Sequence, residues 1–289
     1  MKQTEYTVAE PAALLDFLAT CLPDTSRTRL KELLAHSVYV DGRRTTQFNY
    51  PLQRGMKVSV GKATGRDRLQ PRELDIVYED RHLLVVNKHE GLLSSSTHPQ
   101  DKTVISILNL YLDATHQRCH AHIVHRLDRD TSGLMVVAKS KEVSRLFEED
   151  WKGRVFDRRY VAVAWGHIEP PEGEIRSWLT DGEYCVLSSP TDNGGKLAVT
   201  HYEVRQTSRR YSLVELKLDT GRRNQIRVHL REMQHPVVHD PMYGYKDDLS
   251  PVSRLCLHAY RLCFVHPVTG KRLRFETPVP PQFMKLMDL

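Results

Sequence analysis

Two kinds of hydrophobic pattern divide the chain. Between Ala12 and Val60 the pattern predicts two amphipathic helices, ALLDFLATCL and, after Ser26, RTRLKELLAH. A turn at Asp41-Gly42 and short strands that end in RGMKVSV follow these helices. The polar stretch KATGRDRLQPRE then lacks any periodicity, which is typical of a linker. We therefore expect a first domain over residues 1–62, a linker over 63–73 and a second domain over 74–289.

The second part of the chain has the alternation that is typical of strands. Strands are predicted at LDIVYED, HLLVVNK, LMVVAKS, RRYVAVAWG, AVTHYEVRQ, YSLVELKLD and, as a final pair, within RLCLHAYRLCFVHPVTGKRLRFETP. Helices are predicted at KEVSRLFEEDWKG, ending at Gly153, and at NQIRVHLREM. Turns at Asp80-Arg81 and Thr269-Gly270 link adjacent strands, and short links favour antiparallel pairing. The prediction is an α+β fold with a mainly antiparallel central sheet and flanking helices, rather than a doubly wound sheet.

Composition narrows the class of protein. The chain has 289 residues, of which 40% are hydrophobic and 27% charged, as in a globular protein with a sizeable core. No apolar run is long enough to span a membrane, and the start MKQTEYTVAEPAALLDFL has no basic leader, so a cytoplasmic protein is expected. Five widely spaced cysteines without a CxxC pair argue against a disulfide framework and a zinc ribbon.

Positive charge is concentrated at one place. The net charge is +6, and residues 27–68 hold ten Lys or Arg against three acidic residues, a local +7 that leaves about −1 for the rest. This distribution favours a polyanionic partner for the first domain, although a solvated basic face is the alternative.

The first domain resembles the S4 RNA-binding fold. The resemblance rests on SRTRLKELLAHSVYVDG followed by RGMKVSV. It implies a small α/β domain whose basic residues, among them Arg29, Arg43 and Arg44, contact the phosphate backbone of RNA. Such contacts are sensitive to salt and largely independent of base sequence.

The segment HRLDRDTSG, residues 125–133, places Asp128 between two arginines and ahead of three small residues suited to a turn. Neighbouring apolar residues predict that its backbone enters the core, where a carboxylate needs partners or takes up a proton. Three structural partners are possible: Arg126 or Arg129, the backbone N–H groups of residues 131–133, or a distant arginine. A turn-stabilising aspartate is thus the alternative to a catalytic one.

HRLDRDTSG also resembles the defining motif of the RluA family of pseudouridine synthases. Three further blocks agree in the same order: VVNKHEGLLSSS, RRYVAVAWG and LDTGRRNQIRVHLREMQHPVVHDPMYG. The resemblance spans residues 74–289 and implies an enzyme that isomerises uridine in RNA. An S4-like domain often precedes the catalytic domain in this family.

The resemblance also implies roles for individual residues. Asp128 corresponds to the catalytic aspartate, Arg126 to the arginine that helps displace the target base, and Tyr160 to the tyrosine that stacks on uracil. Arg227 corresponds to the basic residue that pairs with the aspartate. The family commonly has His where this chain has Asn224, and because asparagine keeps a hydrogen-bonding side chain, activity is expected to survive this departure. We add His125, Arg222 and Asn224 as RNA-binding candidates.

Pseudouridylation detaches uracil from ribose and rejoins it through carbon, without redox change, so no cofactor is expected. It needs an ionised carboxylate in a water-poor pocket, and Arg227 is expected to lower the pKa of Asp128 by more than burial raises it. Asp128 could attack the sugar, attack the base or abstract a sugar proton, and the sequence does not choose. The uridine must be flipped out of folded RNA, and Arg126 is placed to fill the gap.

Other residues have simpler interpretations. His120 and His122 could share a face of an extended segment while His125 points away, so hydrogen bonding or RNA contact is favoured over metal binding, and no metal site is predicted. Ser94, Ser95 and Ser96 are interpreted as loop residues at the edge of the pocket. The expected partner is RNA, ribosomal rather than transfer RNA, with no membrane or obligatory protein partner. The alternative functions are an RNA-binding or remodelling protein without required catalysis and, more remotely, a metal-dependent nuclease.

Overall fold

The structure, a computed structural model, describes residues 4–23, 25–36, 38–41, 43–45, 47–60, 71 and 73–288. Only the backbone is described at residues 28, 29, 32, 35, 36, 43 and 44. The chain forms two compact units, residues 1–70 and 71–289. The predicted linker over 63–73 falls mostly outside the described residues.

The first unit contains two short helices and short strands. Its elements are β1 (Thr4–Thr7), β2 (Ala12–Ala13), α1 (Leu14–Cys21), α2 (Arg27–His36), β3 (Val38–Val40), β4 (Arg43–Arg44), β5 (Pro51–Leu52) and β6 (Lys57–Val60). Both predicted helices are confirmed, because Leu14 and Leu18 on α1 and Leu30 and Leu34 on α2 recur at helical spacing and are buried together. The strands pair antiparallel in the order β1-β6-β3-β4, and Gly42 of the predicted turn lies outside the described residues. The assignment of this unit to the S4 fold stays a prediction.

The second unit is built on one large sheet with helices. Its strands are β7 (Leu74–Glu79), β8 (Leu83–Lys88), β9 (His122–Ile123), β10 (Ser132–Ala138), β11 (Val155–Trp165), β12 (Glu172–Asp181), β13 (Val186–Ser189), β14 (Lys196–Thr207), β15 (Tyr211–Leu218), β16 (Leu257–Val265) and β17 (Arg272–Glu276). Its helices are α3 (Val104–Ala114), α4 (Lys141–Glu149), α5 (Trp151–Arg154), α6 (Gln225–Glu232) and α7 (Pro281–Met287).

The strand order of the sheet is β13-β12-β14-β15-β11-β16-β10-β8-β7, with β17 beside β16 and β9 beside β10. The predicted hairpins β7-β8 and β16-β17 are both present and antiparallel. Among the described strands, β10 and β16 form the one parallel pair. The predicted α+β fold with a mainly antiparallel sheet is therefore confirmed.

The parallel pair explains the glycine of the TSG sequence. Ser132 and Gly133 begin β10 and lie opposite His258 and Ala259 of β16. A Cβ on Gly133 would lie 2.3 Å from the Ala259 carbonyl oxygen, and the φ of Gly133 is 121°. Only glycine fits this crossing without displacing a backbone. The small residues therefore serve the close approach of two strands and fix where the segment that carries Asp128 enters the sheet.

The burial of strand β10 on both faces explains why the sequence LMVVA is apolar throughout. Met135 and Val137 point into one hydrophobic cluster, whereas Leu134 and Val136 point into another on the opposite face. Successive side chains alternate across a strand, so a strand buried on both faces has no polar positions. Helices contribute to both clusters, which makes this region a sheet between two layers. No helix in the described ranges is both long and apolar enough to cross a membrane.

The predicted helix over KEVSRLFEEDWKG was wrong at its end. Asp150 adopts φ −144° and ψ 53°, which interrupts the helix between α4 and α5. Its carboxylate accepts a hydrogen bond from the Gly153 N–H at 3.1 Å and so caps the next turn. An aspartate competes with the helical backbone in this way, and the second helix continues past Gly153 to Arg154.

Candidate active site

A cavity of about 840 Å³ opens in the second unit. Its wall is formed mainly by the segment before β10, by residues 151–160, by the loop 217–222 and by the start of α6. Seven predicted site residues line it: His125, Arg126, Asp128, Tyr160, Arg222, Asn224 and Arg227. The structure thus brings together side chains that are up to about a hundred positions apart in sequence, while the side chains of Arg29, Arg43 and Arg44 of the first unit lie outside the description.

The turn at Asp128 is closed by its backbone. The Asp128 carbonyl oxygen accepts a hydrogen bond from the Thr131 N–H at 3.2 Å. The local candidate Arg129 pairs with Asp130 instead, at 3.2 Å. Within the described part of the chain, the Asp128 carboxylate has no hydrogen-bond donor and no cation within 4.0 Å. None of the three structural roles for this side chain is realised, and the carboxylate is left to face the cavity.

Burial raises the pKa of Asp128 above its ordinary value. The charges of Arg227, Lys88, Arg126 and Arg223 act in the opposite direction, with Arg227 the strongest of them. The expectation that Arg227 outweighs burial was therefore wrong. Removal from water penalises the charged carboxylate, and no cation is close enough to compensate fully.

The reason is the direct partner of Arg227. Its Nε and Nη2 each donate to the Asp240 carboxylate at 2.7 Å, and its Nη1 donates to the Asn224 side-chain oxygen at 3.1 Å. Asp240 also accepts the backbone N–H groups of Met242 and Tyr243, both at 2.9 Å. The guanidinium carbon lies 5.0 Å from the centre of the Tyr243 ring. Arg227 is thus a fixed cation in the wall that acts on Asp128 through space, and the predicted direct pair is replaced by a pair with Asp240.

Tyr160 lies on β11 and is 5% exposed. Burial raises the pKa of its phenol, the charge of Arg158 acts in the opposite direction, and the charge of Asp128 raises the pKa again. The net shift is upward, so the hydroxyl stays protonated at neutral pH. Its side chain lines the cavity together with Asp128. By contrast, Arg126 is exposed at the cavity and has no ion pair within the described residues, so its side chain is available to a ligand.

Asn224 was predicted to contact RNA, but both polar atoms of its side chain form hydrogen bonds within the protein. Its amide nitrogen donates to the Tyr243 hydroxyl at 3.1 Å, while its oxygen accepts from Arg227. Its backbone has φ 53° and precedes the first residue of α6, a left-handed conformation that asparagine adopts more readily than most residues. Asn224 therefore positions Arg227 and begins the helix.

His125 is also held by the protein on one side. Its Nε2 accepts a hydrogen bond from the Val136 N–H at 3.0 Å, so the proton of the neutral ring is on Nδ1. Burial and the charge of Arg158 lower the pKa of His125 to about 3, which keeps the ring neutral. The ring packs against Trp151 with centroids 5.0 Å apart. Within the described residues, no group of three His, Cys, Asp or Glu could hold a metal ion.

Sequence reasoning missed the residues that hold the segment with Asp128 in place. Lys88 ends β8, is fully buried, and donates to the carbonyl oxygens of Leu92 at 2.7 Å and Arg129 at 2.8 Å. Burial lowers the pKa of Lys88 to about 8. Ser94 donates to the Leu127 carbonyl oxygen at 2.6 Å and is buried, so its interpretation as a residue at the pocket's edge was wrong. A lysine at the end of the apolar run LLVVNK was the available signal.

The cavity therefore combines an aspartate that faces open space with a fixed arginine and a buried tyrosine. The chain belongs to the RNA pseudouridylate synthase family, whose model matches residues 82–232. It is therefore an isomerase of the class that the sequence motif predicted.

Individual relatives extend this similarity over most of the chain. The ribosomal large subunit pseudouridine synthase D of Neisseria meningitidis serogroup B is 36% identical, with 94% of this chain and 77% of the relative covered. The enzyme of the same name from Escherichia coli K12 is 33% identical, with 94% of this chain and 88% of the relative covered. Human RNA Pseudouridylate Synthase Domain Containing 1 has a solved structure with a TM-score of 0.59 and 28% identity, covering 72% of this chain and 84% of that one.

Proposed function

We propose that this protein converts uridine to pseudouridine in large-subunit ribosomal RNA, with Asp128 as the catalytic residue. The observation that carries the proposal is the Asp128 carboxylate, which faces the cavity without any structural partner among the described residues. The names of the relatives that share most of the chain favour ribosomal over transfer RNA.

The cavity is suited to a flipped nucleotide. A volume of about 840 Å³ accommodates a uridine with its sugar and phosphates. Tyr160 supplies a ring on which uracil stacks, and its protonated hydroxyl can donate a hydrogen bond. Arg126, exposed at the cavity, enters the space that the uridine leaves in the RNA, which offsets part of the cost of unstacking.

Arg227 and Asp128 have different roles in the proposed reaction. Arg227 is held by Asp240 and Asn224, so its position does not depend on the substrate. A fixed cation stabilises negative charge that develops beside it without reorganisation during the reaction. Asp128 supplies the carboxylate that acts on the nucleotide.

In this proposal the first unit binds the RNA. Its basic residues Arg29, Arg43 and Arg44 bind the phosphate backbone of the RNA around the target uridine. This function follows from the density of positive charge over residues 27–68 and from the S4 resemblance.

The test is pseudouridine mapping on ribosomal and transfer RNA, by carbodiimide modification and reverse transcription. Cells carrying the intact gene, a deletion, Asp128→Asn or the control Asp130→Asn are compared. Asp130 lies two residues away in the same segment and pairs with Arg129 at the surface. We expect one or more marks in large-subunit RNA to be absent in the deletion and in Asp128→Asn, and present in Asp130→Asn.

Two outcomes contradict the proposal. If pseudouridine marks disappear only from transfer RNA, the substrate is transfer RNA rather than ribosomal RNA. If all marks persist in the Asp128→Asn cells but disappear from the deletion, Asp128 is not the catalytic residue, whereas persistence in both would favour a protein that binds RNA without required catalysis.

A further inference from the structure

One cation of the cavity wall lacks a counter-ion although it is partly removed from water. Within the described part of the chain, Arg227 is buried and paired with Asp240, and four other cations of the wall are exposed: Arg126, Lys152, Lys217 and Arg222. Arg158 is half-buried, and among the described residues no carboxylate lies within 4.0 Å of it. Its setting therefore differs from that of every other Lys or Arg that the structure describes in this wall.

The sheet aims Arg158 into the cavity. Arg158 and Tyr160 are two positions apart on β11, so their side chains share the face that lines the cavity. The guanidinium carbon lies 5.6 Å from the centre of the Trp151 ring and 5.8 Å from that of Tyr160. A Cβ on Gly221, in the loop across the cavity, would lie 3.4 Å from its Nη2. The guanidinium is thus held between β11 and that loop, next to the ring on which uracil stacks.

The aromatic rings orient this guanidinium but do not neutralise it. Contacts with ring faces are weak attractions that leave the positive charge without a counter-ion. A partly desolvated cation still needs an anion, because its lost hydration is otherwise uncompensated. The arrangement is complete only when an anion of the substrate enters the cavity.

The chemistry of the substrate identifies that anion. Uracil and ribose are neutral at physiological pH, and the anionic groups of RNA are its phosphodiesters. A guanidinium presents a planar fork of N–H donors that matches two phosphate oxygens. We propose that Arg158 binds a phosphodiester group of the flipped uridine nucleotide and so fixes its sugar relative to Asp128. This inference rests on the proposed function, in which a uridine of RNA enters this cavity.

The test compares Arg158→Gln with Arg158→Lys and with Arg209→Gln as control. Arg209 is exposed in the turn before β15, whereas the opposite end of that strand leads into the cavity wall. The substrate is an unmodified transcript of large-subunit ribosomal RNA labelled with tritium at C5 of uridine. Isomerisation joins C5 to the ribose and releases that hydrogen to water, so released tritium gives KM and kcat. Both are measured over a series of KCl concentrations.

We expect Arg158→Gln to raise KM at least about tenfold, the effect of losing one charge-assisted hydrogen-bonded contact, while kcat changes less than about threefold. The slope of log KM against log salt should fall by about 0.7 to 0.9, as for one lost phosphate contact. Arg158→Lys keeps the charge but not the fork, so it should retain the salt slope and raise KM only a few-fold. Arg209→Gln should match the wild-type protein.

Contrary results separate the two proposals. An unchanged KM and salt slope in Arg158→Gln would overturn the phosphate role, as would a fall in kcat at constant KM, which indicates that Arg158 acts only by holding Tyr160. If Arg158→Gln melts well below the wild type, the Arg158→Lys slope decides, and a loss of slope there overturns the proposal. A wild-type protein that releases no tritium from the ribosomal transcript would instead overturn the ribosomal substrate.

Discussion

The ion pair between Arg227 and Asp240 gives a quantitative prediction. Their side chains are 6% and 0% exposed, and Asp240 accepts two hydrogen bonds from Arg227 and two from backbone N–H groups. Asp240→Asn keeps the shape of the side chain but leaves Arg227 as an unpaired buried cation. Breaking a buried pair in this way costs about 3–5 kcal/mol, whereas breaking an exposed pair costs about 0–1 kcal/mol. We therefore expect the free energy of unfolding to fall by about 3 kcal/mol or more.

The assay is urea denaturation followed by tryptophan fluorescence. All three tryptophans, Trp151, Trp165 and Trp178, belong to the second unit, so the signal reports on the unit that contains the pair. The control is Asp181→Asn, which breaks an ion pair with Arg223 at the surface, where Asp181 is 70% exposed. A change below about 1 kcal/mol is expected for that control.

A double-mutant cycle tests the reasoning itself. If the cost of Asp240→Asn comes from an uncompensated charge, Arg227→Gln together with Asp240→Asn should cost less than the sum of the two single changes, by about 1–3 kcal/mol. Additive losses, or a loss of under about 1 kcal/mol in Asp240→Asn, would refute this account of the pair. Tritium release should be strongly reduced in Asp240→Asn, in Arg227→Gln and in the double variant. Each change removes either the Arg227 cation beside Asp128 or the carboxylate that holds this cation in position.

Three further changes give independent tests. Gly133→Ala places a methyl group 2.3 Å from the Ala259 carbonyl oxygen and should lower the free energy of unfolding by more than about 2 kcal/mol. The control Gly194→Ala also has positive φ but open space around its Cβ, and it should lower the free energy of unfolding by about 1 kcal/mol. Equal losses in the two variants would contradict the argument that Gly133 is required where the two strands cross. Lys88 has its pKa depressed to about 8 from 10.5, so its folded form binds fewer protons than its unfolded form between these values, and its own contribution to stability should rise with pH from about 8 to 10.5. The difference in free energy of unfolding between the wild type and Lys88→Met should therefore shift in favour of the wild type over this range, and a difference that does not change with pH would show that Lys88 does not titrate as its burial requires. Replacing Arg29, Arg43 and Arg44 of the first unit by alanine should weaken RNA binding and flatten its salt dependence in filter-binding assays. An unchanged salt slope would show that the first unit does not contact the RNA.

Local pattern was sufficient for most of the secondary structure. Alternating or continuous apolar runs placed eight of the eleven strands described in the second unit, since side-chain period and burial are properties of a short segment, but they did not predict β9, β12 or β13. The pattern was insufficient at Asp150, where one side chain that caps the next turn interrupts an otherwise periodic helix. It also did not distinguish a turn from a strand crossing at Gly133, because the residue that requires glycine there is Ala259, more than a hundred positions away.

The sequence by itself was sufficient for the class of enzyme, the mainly antiparallel architecture and seven of the residues that line the cavity, because sequence motifs and strand periodicity are properties of short segments. The tertiary structure alone decided the partners within that cavity: Arg227 bonds to Asp240 rather than Asp128, and Asn224 serves the wall rather than a ligand. It also decided that the pKa of Asp128 is raised. That direction is a balance between desolvation and charges at particular distances, and both are set only when segments far apart in the chain pack together.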